Sequence, residues 1–190
     1  MLTLVIGGAR SGKSRFAISL CPLESRVTYI ATAPESDDEM RSRIARHRRD
    51  RPSHWKTVEE PLALASIVAA HASTSDFVIV DCLTLWLSNL CWERRESGFG
   101  DLEQSVSNEI AEFGRAAATG QVILVSNEVG CSLVPDSPLG RSFQDLQGLT
   151  NQWAAREADV VYQTIAGIPI KLKSHESRGQ NIHDHSQTHS

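Results

Sequence analysis

A glycine-rich stretch close to the start of the chain constrains the fold more than any other part of the sequence. An apolar run at 2–6 precedes it, and a segment with helical character follows at 15–20. The stretch consists of Gly7, Gly8, Ala9, Arg10, Ser11, Gly12, Lys13 and Ser14. The pattern G-x-x-x-x-G-K-S between a strand and a helix is typical of a phosphate-binding loop, whose glycines let backbone N–H groups converge on an anion. It predicts that Lys13 reaches the β- and γ-phosphates of a nucleoside triphosphate and that Ser14 binds Mg²⁺.

Composition narrows the class of protein around this loop. The chain has 190 residues, 41% hydrophobic and 22% charged, which suits one soluble globular domain with a sizeable core. Its net charge of -4 gives no general reason to expect a nucleic-acid or membrane partner. Its four cysteines are scattered, which argues against a zinc site or disulfide framework and favours buried, reduced thiols in a cytoplasmic protein. No apolar run reaches the ~18 residues of a membrane span.

Strand-like and helical stretches alternate along the rest of the chain. Apolar, β-branched runs typical of strands lie at 27–31, 77–81 and 121–126. Helical patterns are predicted from Pro61, at 83–92, at 102–119 and at 141–158. The alternation predicts a single-domain α/β fold whose mainly parallel sheet is flanked by helices and binds ligands at the carboxyl ends of its strands.

The end of the chain is expected to differ from the alternating part. Two strand-like runs at 160–165 and 168–172 flank Ala166-Gly167 and predict an antiparallel hairpin, with Pro169 on an edge strand. The domain is therefore expected to span 1–173. The polar stretch at 174–190 is expected to be a disordered tail.

Several residues follow the predicted strands, at the edge where a ligand would bind. Asp81 ends an apolar strand, the position from which an acid holds Mg²⁺ in phosphate-loop folds; the alternative is an exposed strand-end acid. Thr32, Ala33 and Pro34 end the second strand, and we expect them beside the phosphate loop, where they line a nucleotide pocket or merely form a turn. Glu59 is a candidate for binding a ribose or a base N–H, or simply precedes a helix.

A basic stretch at 35–51 contains the candidate catalytic residue, His47. Met40, Ile44 and His47 have the i, i+4, i+7 spacing of one helical face, so His47 is expected to face the domain. The arginines around it would keep the imidazole neutral and nucleophilic, and would bind phosphate oxygens. The simpler alternatives are a solvated basic face and a histidine satisfied in the core.

These residues and several further motifs resemble the bifunctional adenosylcobinamide kinase / adenosylcobinamide-phosphate guanylyltransferase family of cobalamin biosynthesis. Besides the loop at 7–14, the motifs are Tyr-Ile-Ala-Thr at 29–32, Asp-Asp-Glu-Met at 37–40, Arg-Ile-x-x-His at 43–47, Arg-Pro-x-x-Trp at 51–55, Asn-Glu-Val-Gly at 127–130 and Gly-Ile-x-x-Lys at 167–171. They cover residue 1 to about 173 in the same order, and the block at 37–55 is far more specific than the loop.

The resemblance implies a RecA-like phosphate-loop fold, a homotrimer and two reactions. The enzyme would phosphorylate the aminopropanol hydroxyl of adenosylcobinamide with ATP or GTP. His47 would then attack the α-phosphate of GTP, release pyrophosphate, and pass GMP to adenosylcobinamide phosphate to give adenosylcobinamide-GDP. The implied nucleotide-binding positions are 7–14, Thr32, Ala33, Pro34, Arg48, Arg49, Asp50, Arg51, Glu59 and Asp81, with Ser14 and Asp81 also on Mg²⁺.

Two other classes of function are compatible with the same residues. A small-molecule or nucleotide kinase would use the loop in the same way and the arginine-rich segment as a phosphate-closing lid, without a covalent histidine. A RecA-like, ATP-driven nucleic-acid binder would place the arginines on phosphates. The net charge of -4 and the lack of interleaved aromatic residues count against the second class.

Overall fold

The computed structural model describes residues 1–33, 41, 48–49, 51–96 and 98–174 of the chain. The strands in this part are β1 (Leu2–Gly7), β2 (Val27–Ala31), β3 (Lys56–Glu59), β4 (Phe77–Asp81), β5 (Gln121–Asn127), β6 (Val160–Ile165) and β7 (Ile168–Lys173). They form one sheet in the order β3-β2-β4-β5-β1-β6-β7. Neighbouring strands are parallel except β6 and β7, which form an antiparallel hairpin. The predicted α/β fold with a mainly parallel sheet and a C-terminal hairpin is therefore confirmed.

Helices cover both faces of this sheet. They are α1 (Lys13–Ser19), α2 (Leu64–Ala72), α3 (Leu83–Glu93), α4 (Phe99–Ala116) and α5 (Pro138–Glu157). Helix α4 buries a stripe that includes Val106, Ile110 and Phe113, the pattern from which it was predicted. Helix α5 begins at a cap: the Ser137 side chain accepts a hydrogen bond from the Gly140 N–H at 3.1 Å.

Successive residues of the central strands enter two separate core layers. Leu4 and Leu124 pack in the layer shared with α2 to α5, whereas Val5 and Val125 pack in the layer shared with α1. Both faces of these strands are buried, so their sequences are continuous apolar runs rather than alternating patterns. Trp86 of α3 is fully buried in the first layer.

The segment after the basic stretch differs from the expectation of a helix that begins at Pro61. Lys56–Glu59 forms β3, parallel to β2, and α2 begins only at Leu64. Strand β3 lies at the edge of the sheet with mostly exposed side chains, so its sequence lacks the apolar pattern that identifies a strand. The Glu60 carboxylate accepts the Leu62 N–H at 2.9 Å, and the resulting turn delays the helix.

The β6–β7 hairpin forms the edge of the sheet opposite β3. Ala166 and Gly167 make its turn with φ values of 51° and 83°, the left-handed region that favours glycine. Pro169 lies on the edge strand β7, opposite Thr164 of β6. An edge strand tolerates the missing N–H of proline, so the predicted position of Pro169 is confirmed.

The four cysteines are all free, but they differ in exposure. Cys21 and Cys82 are buried, and burial raises the pKa of their thiols to about 12 and about 11, respectively. Cys91 is half-buried, and Cys131 is exposed in the loop that follows β5. The expectation of buried thiols is therefore wrong for Cys131, because its loop leaves the sheet and packs into neither core layer.

The last described residue is Ser174, one residue after the end of β7. The rest of the predicted tail at 174–190 lies outside the described residues. Among the helices of the described part, none is long and apolar enough to cross a lipid bilayer.

Candidate nucleotide site

The glycine-rich stretch forms a compact loop between β1 and α1. Arg10 and Gly12 have φ values of 58° and 91°, which let the loop reverse direction. The Ser11 N–H donates to the Gly8 carbonyl at 3.2 Å, and the Lys13 ammonium donates to the same carbonyl at 3.2 Å. The Lys13 charge therefore lies at the loop itself, as phosphate binding requires.

The side chains of this loop point in different directions. Gly8, Ala9 and Arg10 are exposed, whereas Ser11 is buried. The Ser11 Oγ lies 2.8 Å from the Thr164 Oγ1 of β6, so this hydroxyl faces the sheet. The predicted contacts with a nucleotide are therefore made by the backbone of the exposed residues, by Lys13 and by Ser14. The Ser11 side chain supports the loop instead.

Strand β5 lies between β1 and β4, so the phosphate loop and Asp81 stand on either side of it. Gly7 pairs with Asn127 of β5, and Asp81 pairs with Val125 of the same strand. With about 4.8 Å between neighbouring strands, the backbones of β1 and β4 are about 10 Å apart across the sheet. The phosphate loop and Asp81 therefore follow strands on opposite sides of β5, at the same edge of the sheet.

Asp81 is held by Tyr29, which sequence reasoning did not single out as a site residue. The Tyr29 hydroxyl donates a hydrogen bond to Asp81 Oδ2, and Tyr29 is only 1% exposed. Burial first, and the Asp81 charge second, raise the pKa of Tyr29 well above its ordinary value, so the phenol keeps its proton and remains a donor. The Arg51 guanidinium lies over the Tyr29 ring, 3.4 Å from its centroid. Arg51, Tyr29 and Asp81 form one connected group.

The expectation that the residues after β2 lie directly beside the phosphate loop is wrong for Thr32 and Ala33, while their contact with a nucleotide stays a prediction. Strands β4 and β5 lie between β2 and β1, an order that the sequence does not reveal. Thr32 is fully buried; its hydroxyl donates to the Cys82 carbonyl and accepts the Cys82 N–H, both at 2.8 Å. Asn89 donates to the Thr32 carbonyl at 2.9 Å. Thr32 therefore ties the end of β2 to the residue that follows Asp81.

Three of the predicted binding residues, Arg48, Arg51 and Glu59, lie near strands β2 and β3. Arg48 forms an ion pair with Glu59, and both side chains are about half exposed. The Arg51 Nη1 donates to the Thr57 hydroxyl at 3.4 Å, and its Nε is buried with no hydrogen-bond partner among the described residues. Arg49 is exposed. Because Arg48 and Glu59 pair with each other, a ligand that binds either side chain must compete with this ion pair.

Three further predicted residues, Pro34, His47 and Asp50, lie outside the described residues. The nucleophilic role of His47 therefore stays a prediction from the sequence. So does the Mg²⁺ site: Ser14 and Asp81 supply a hydroxyl and a carboxylate, the hard oxygen donors that Mg²⁺ prefers. Within the described part, no group of three or more His, Cys, Asp or Glu side chains comes together as a metal site would require. Two protein ligands fit Mg²⁺, which usually keeps several waters and binds substrate phosphates.

Asn127, to which the sequence assigned no role, and two partners that sequence reasoning missed fix the strand between the two halves of the site. The Asn127 N–H donates to Thr84 Oγ1 at 2.9 Å, and the Asn127 carbonyl accepts from Asn151 Nδ2 at 3.0 Å. The position of Asn127 at the end of a buried strand is visible in the sequence. Its partners, Thr84 and Asn151, are not, because they come from α3 and α5. Only the strand order and helix packing bring them together.

Comparison with known proteins gives the family of the chain. The model of the CobU family, described as cobinamide kinase / cobinamide phosphate guanyltransferase, matches residues 3–172. The chain belongs to this family. The resemblance that the motifs indicated is confirmed.

Two relatives of known name agree with the family match. The chain is 42% identical over 174 residues to the bifunctional adenosylcobalamin biosynthesis protein CobP of Pseudomonas aeruginosa, a match that covers 91% of this chain and 98% of that protein. It is 40% identical over 181 residues to the bifunctional adenosylcobalamin biosynthesis protein CobU of Escherichia coli (strain K12), covering 91% and 100%. These matches extend over nearly the whole length of both relatives.

Among solved structures, the chain is similar to a prototypical ATPase from the type III secretion system of pathogenic bacteria. The TM-score is 0.53 at 12% sequence identity, and the match covers 85% of this chain and 50% of that chain. At this identity the likeness concerns the fold alone. It agrees with the predicted phosphate-loop fold.

Proposed function

We propose that this chain is a bifunctional enzyme of adenosylcobalamin biosynthesis, which phosphorylates adenosylcobinamide and then converts the product to adenosylcobinamide-GDP. Membership of the cobinamide kinase / cobinamide phosphate guanyltransferase family over residues 3–172 carries this proposal. The phosphate loop at 7–14 supports it, because both reactions consume a nucleoside triphosphate. The catalytic domain spans 1–173 and acts in the cytoplasm as a homotrimer.

In the first reaction, the loop holds the triphosphate of ATP or GTP. Its exposed backbone N–H groups and Lys13 bind the phosphate oxygens. The hydroxyl oxygen of adenosylcobinamide attacks the γ-phosphorus and loses its proton to the solvent, the bond to the β,γ-bridging oxygen breaks, and the nucleoside diphosphate leaves. Ser14 and Asp81 would hold Mg²⁺, which would neutralise charge on the phosphates. The Tyr29 hydroxyl keeps the Asp81 carboxylate oriented.

In the second reaction, His47 is the nucleophile. An imidazole nitrogen attacks the α-phosphorus of GTP, the bond to the α,β-bridging oxygen breaks, and pyrophosphate leaves, while the other ring nitrogen gives up its proton. A phosphate oxygen of adenosylcobinamide phosphate then attacks the same phosphorus, the P–N bond breaks, and His47 is restored. Two displacements replace one difficult transfer. Arg48, Arg49 and Arg51, close to His47 in sequence, would stabilise charge on the transferring group.

Trapping of the guanylylated protein tests this function. The wild-type protein, incubated with GTP radiolabelled at the α-phosphorus, should acquire acid-labile label and lose it when adenosylcobinamide phosphate is added. The His47→Ala variant should keep kinase activity and acquire no label, because the nucleophile is missing. His54→Ala is the matched control: His54 is exposed in the turn before β3, and its variant should be labelled like the wild type.

Two outcomes would contradict the proposal. Label that persists on His47→Ala would reject this histidine as the nucleophile. A wild-type protein that phosphorylates its substrate but never acquires label would be a kinase without a covalent intermediate.

A further inference from the structure

The turn of the β6–β7 hairpin, which starts the Gly-Ile-x-x-Lys motif at 167–171, packs against the phosphate loop. The Gly167 N–H donates to the Ser11 carbonyl at 2.9 Å. A Cβ built on Gly12 would lie 3.2 Å from the Gly167 Cα, which is tighter than ordinary van der Waals contact. Turn and loop therefore meet backbone to backbone, directly before Lys13.

Thr164 of β6 makes a second set of contacts with the same loop. It is 1% exposed, and its Oγ1 lies 2.8 Å from Ser11 Oγ and donates to the Ile6 carbonyl at 3.3 Å. Either hydroxyl can donate in this pair; with Ser11 as the donor, the Thr164 hydroxyl can donate to the Ile6 carbonyl, so that both hydroxyls are satisfied in one arrangement. Thr164 also lies against the first residue of the loop: a Cβ built on Gly7 would approach its Oγ1 to 2.4 Å.

We propose that Thr164 and Gly167 are positioning residues of the nucleotide site, which hold the phosphate loop in the shape that binds a triphosphate. Their contacts reach the loop at its beginning, at Ser11 and at Gly12. Backbone N–H groups bind an anion well only when their directions are fixed beforehand, because a loop that must be ordered on binding loses affinity. The inference rests on the proposed function, which assigns GTP or ATP to this loop.

The pair Thr164→Val and Thr164→Ser tests the role of the hydroxyl. Valine keeps the shape of threonine but removes the hydroxyl that lies 2.8 Å from the Ser11 hydroxyl, whereas serine keeps that hydroxyl. We expect Thr164→Val to raise the dissociation constant for GTP in the presence of Mg²⁺, measured by calorimetry, about tenfold. Thr164→Ser should stay within about threefold of the wild type. The KM for GTP should rise in the same way, and the KM for adenosylcobinamide at saturating GTP should not change.

Thr150→Val is the matched control for a general loss of stability. Thr150 is fully buried in α5, where its hydroxyl donates to the Leu146 carbonyl at 2.7 Å. The substitution removes a comparable hydrogen bond away from the loop, so the dissociation constant for GTP should equal that of the wild type. Equal effects of Thr150→Val and Thr164→Val, or no effect of Thr164→Val, would overturn the positioning role.

Ser11→Ala breaks the same hydrogen bond from the other side. It keeps the proposal testable if Thr164→Val does not fold, and should raise the dissociation constant by a similar factor. When both variants fold, the double variant should bind GTP no more weakly than the weaker single variant, because one bond is lost once. Additive losses would contradict the inference. A wild-type protein that binds neither GTP nor ATP would overturn the proposed function itself, which is a different result.

Discussion

The two halves of the proposed nucleotide site are held by different means. The phosphate loop is a backbone structure that the β6–β7 hairpin contacts at Gly7, Ser11 and Gly12. The carboxylate of Asp81, at the end of β4, accepts a hydrogen bond from the Tyr29 hydroxyl, its one side-chain donor among the residues that the structure describes. The first half therefore tolerates little added volume where the hairpin touches it, at Gly7 and Gly12, whereas the second relies on the Tyr29 hydroxyl. Substitutions that damage one half should leave the other intact.

Gly7→Ala is expected to have the largest effect, and it acts on the loop. The added Cβ would come within 2.4 Å of the Thr164 Oγ1 and 2.6 Å of the Thr164 backbone oxygen, and the backbone oxygen cannot rotate away. Overpacking of this kind costs about 1–3 kcal/mol, and we expect the upper end of that range in the free energy of unfolding measured by urea denaturation.

Gly8→Ala is the matched control for this substitution. A Cβ on Gly8 would meet no atom within 4 Å, so its free energy of unfolding should stay within about 0.5 kcal/mol of the wild type. Equal stability of the two variants would mean that the loop is not packed against the hairpin.

Tyr29→Phe acts on the other half, with an intermediate effect. It removes the hydroxyl that Asp81 accepts and keeps the ring under the Arg51 guanidinium. Loss of a partner that orients a metal-binding carboxylate typically costs roughly 10–100-fold in affinity or activity, so the Mg²⁺ concentration for half-maximal kinase activity should rise about tenfold. Tyr162→Phe, at the only other tyrosine, is the control, because its ring packs edge-on against Phe16 at 4.9 Å. An equal rise in this Mg²⁺ concentration in both variants would argue against the role of the Tyr29 hydroxyl.

Ala166→Asn should have the smallest effect, and it tests the turn of the hairpin that contacts the phosphate loop. Ala166 has a φ of 51°, which is unfavourable for most L-residues but tolerated by asparagine. Asn-Gly is also the preferred pair for a two-residue hairpin turn. We expect the free energy of unfolding to rise by about 0.5 kcal/mol in thermal denaturation. Ala166→Val, with a β-branched side chain, should instead lower it; the opposite order of stability would contradict the left-handed turn.

Much of the fold could be predicted from the sequence, because its signals are local. The central strands are apolar runs buried on both faces, and the pair Ala166-Gly167 marks the hairpin turn. Strand β3 could not be predicted, because it is short, exposed and stabilised by pairing with β2 rather than by its own pattern.

The candidate site was predictable only in part. The loop is recognisable by its motif, and Asp81 by its position at the end of an apolar run. Their partners do not, because Thr164 lies 153 residues from Ser11 and Tyr29 lies 52 residues from Asp81. The wrong prediction for the position of Thr32 has the same cause. The order of strands in the sheet is set by tertiary packing, and it separates strands that follow one another in the chain.

Cys131 is the exposed member of the four cysteines and lies in the loop that leaves the carboxyl end of β5. Strand β5 is the one that separates the two halves of the site. Because Cys21 and Cys82 are buried with raised thiol pKa values and Cys91 is half-buried, a thiol-reactive fluorophore should attach to Cys131 in preference to the other three. The chain therefore carries a natural labelling position in the loop that follows β5, without an engineered cysteine.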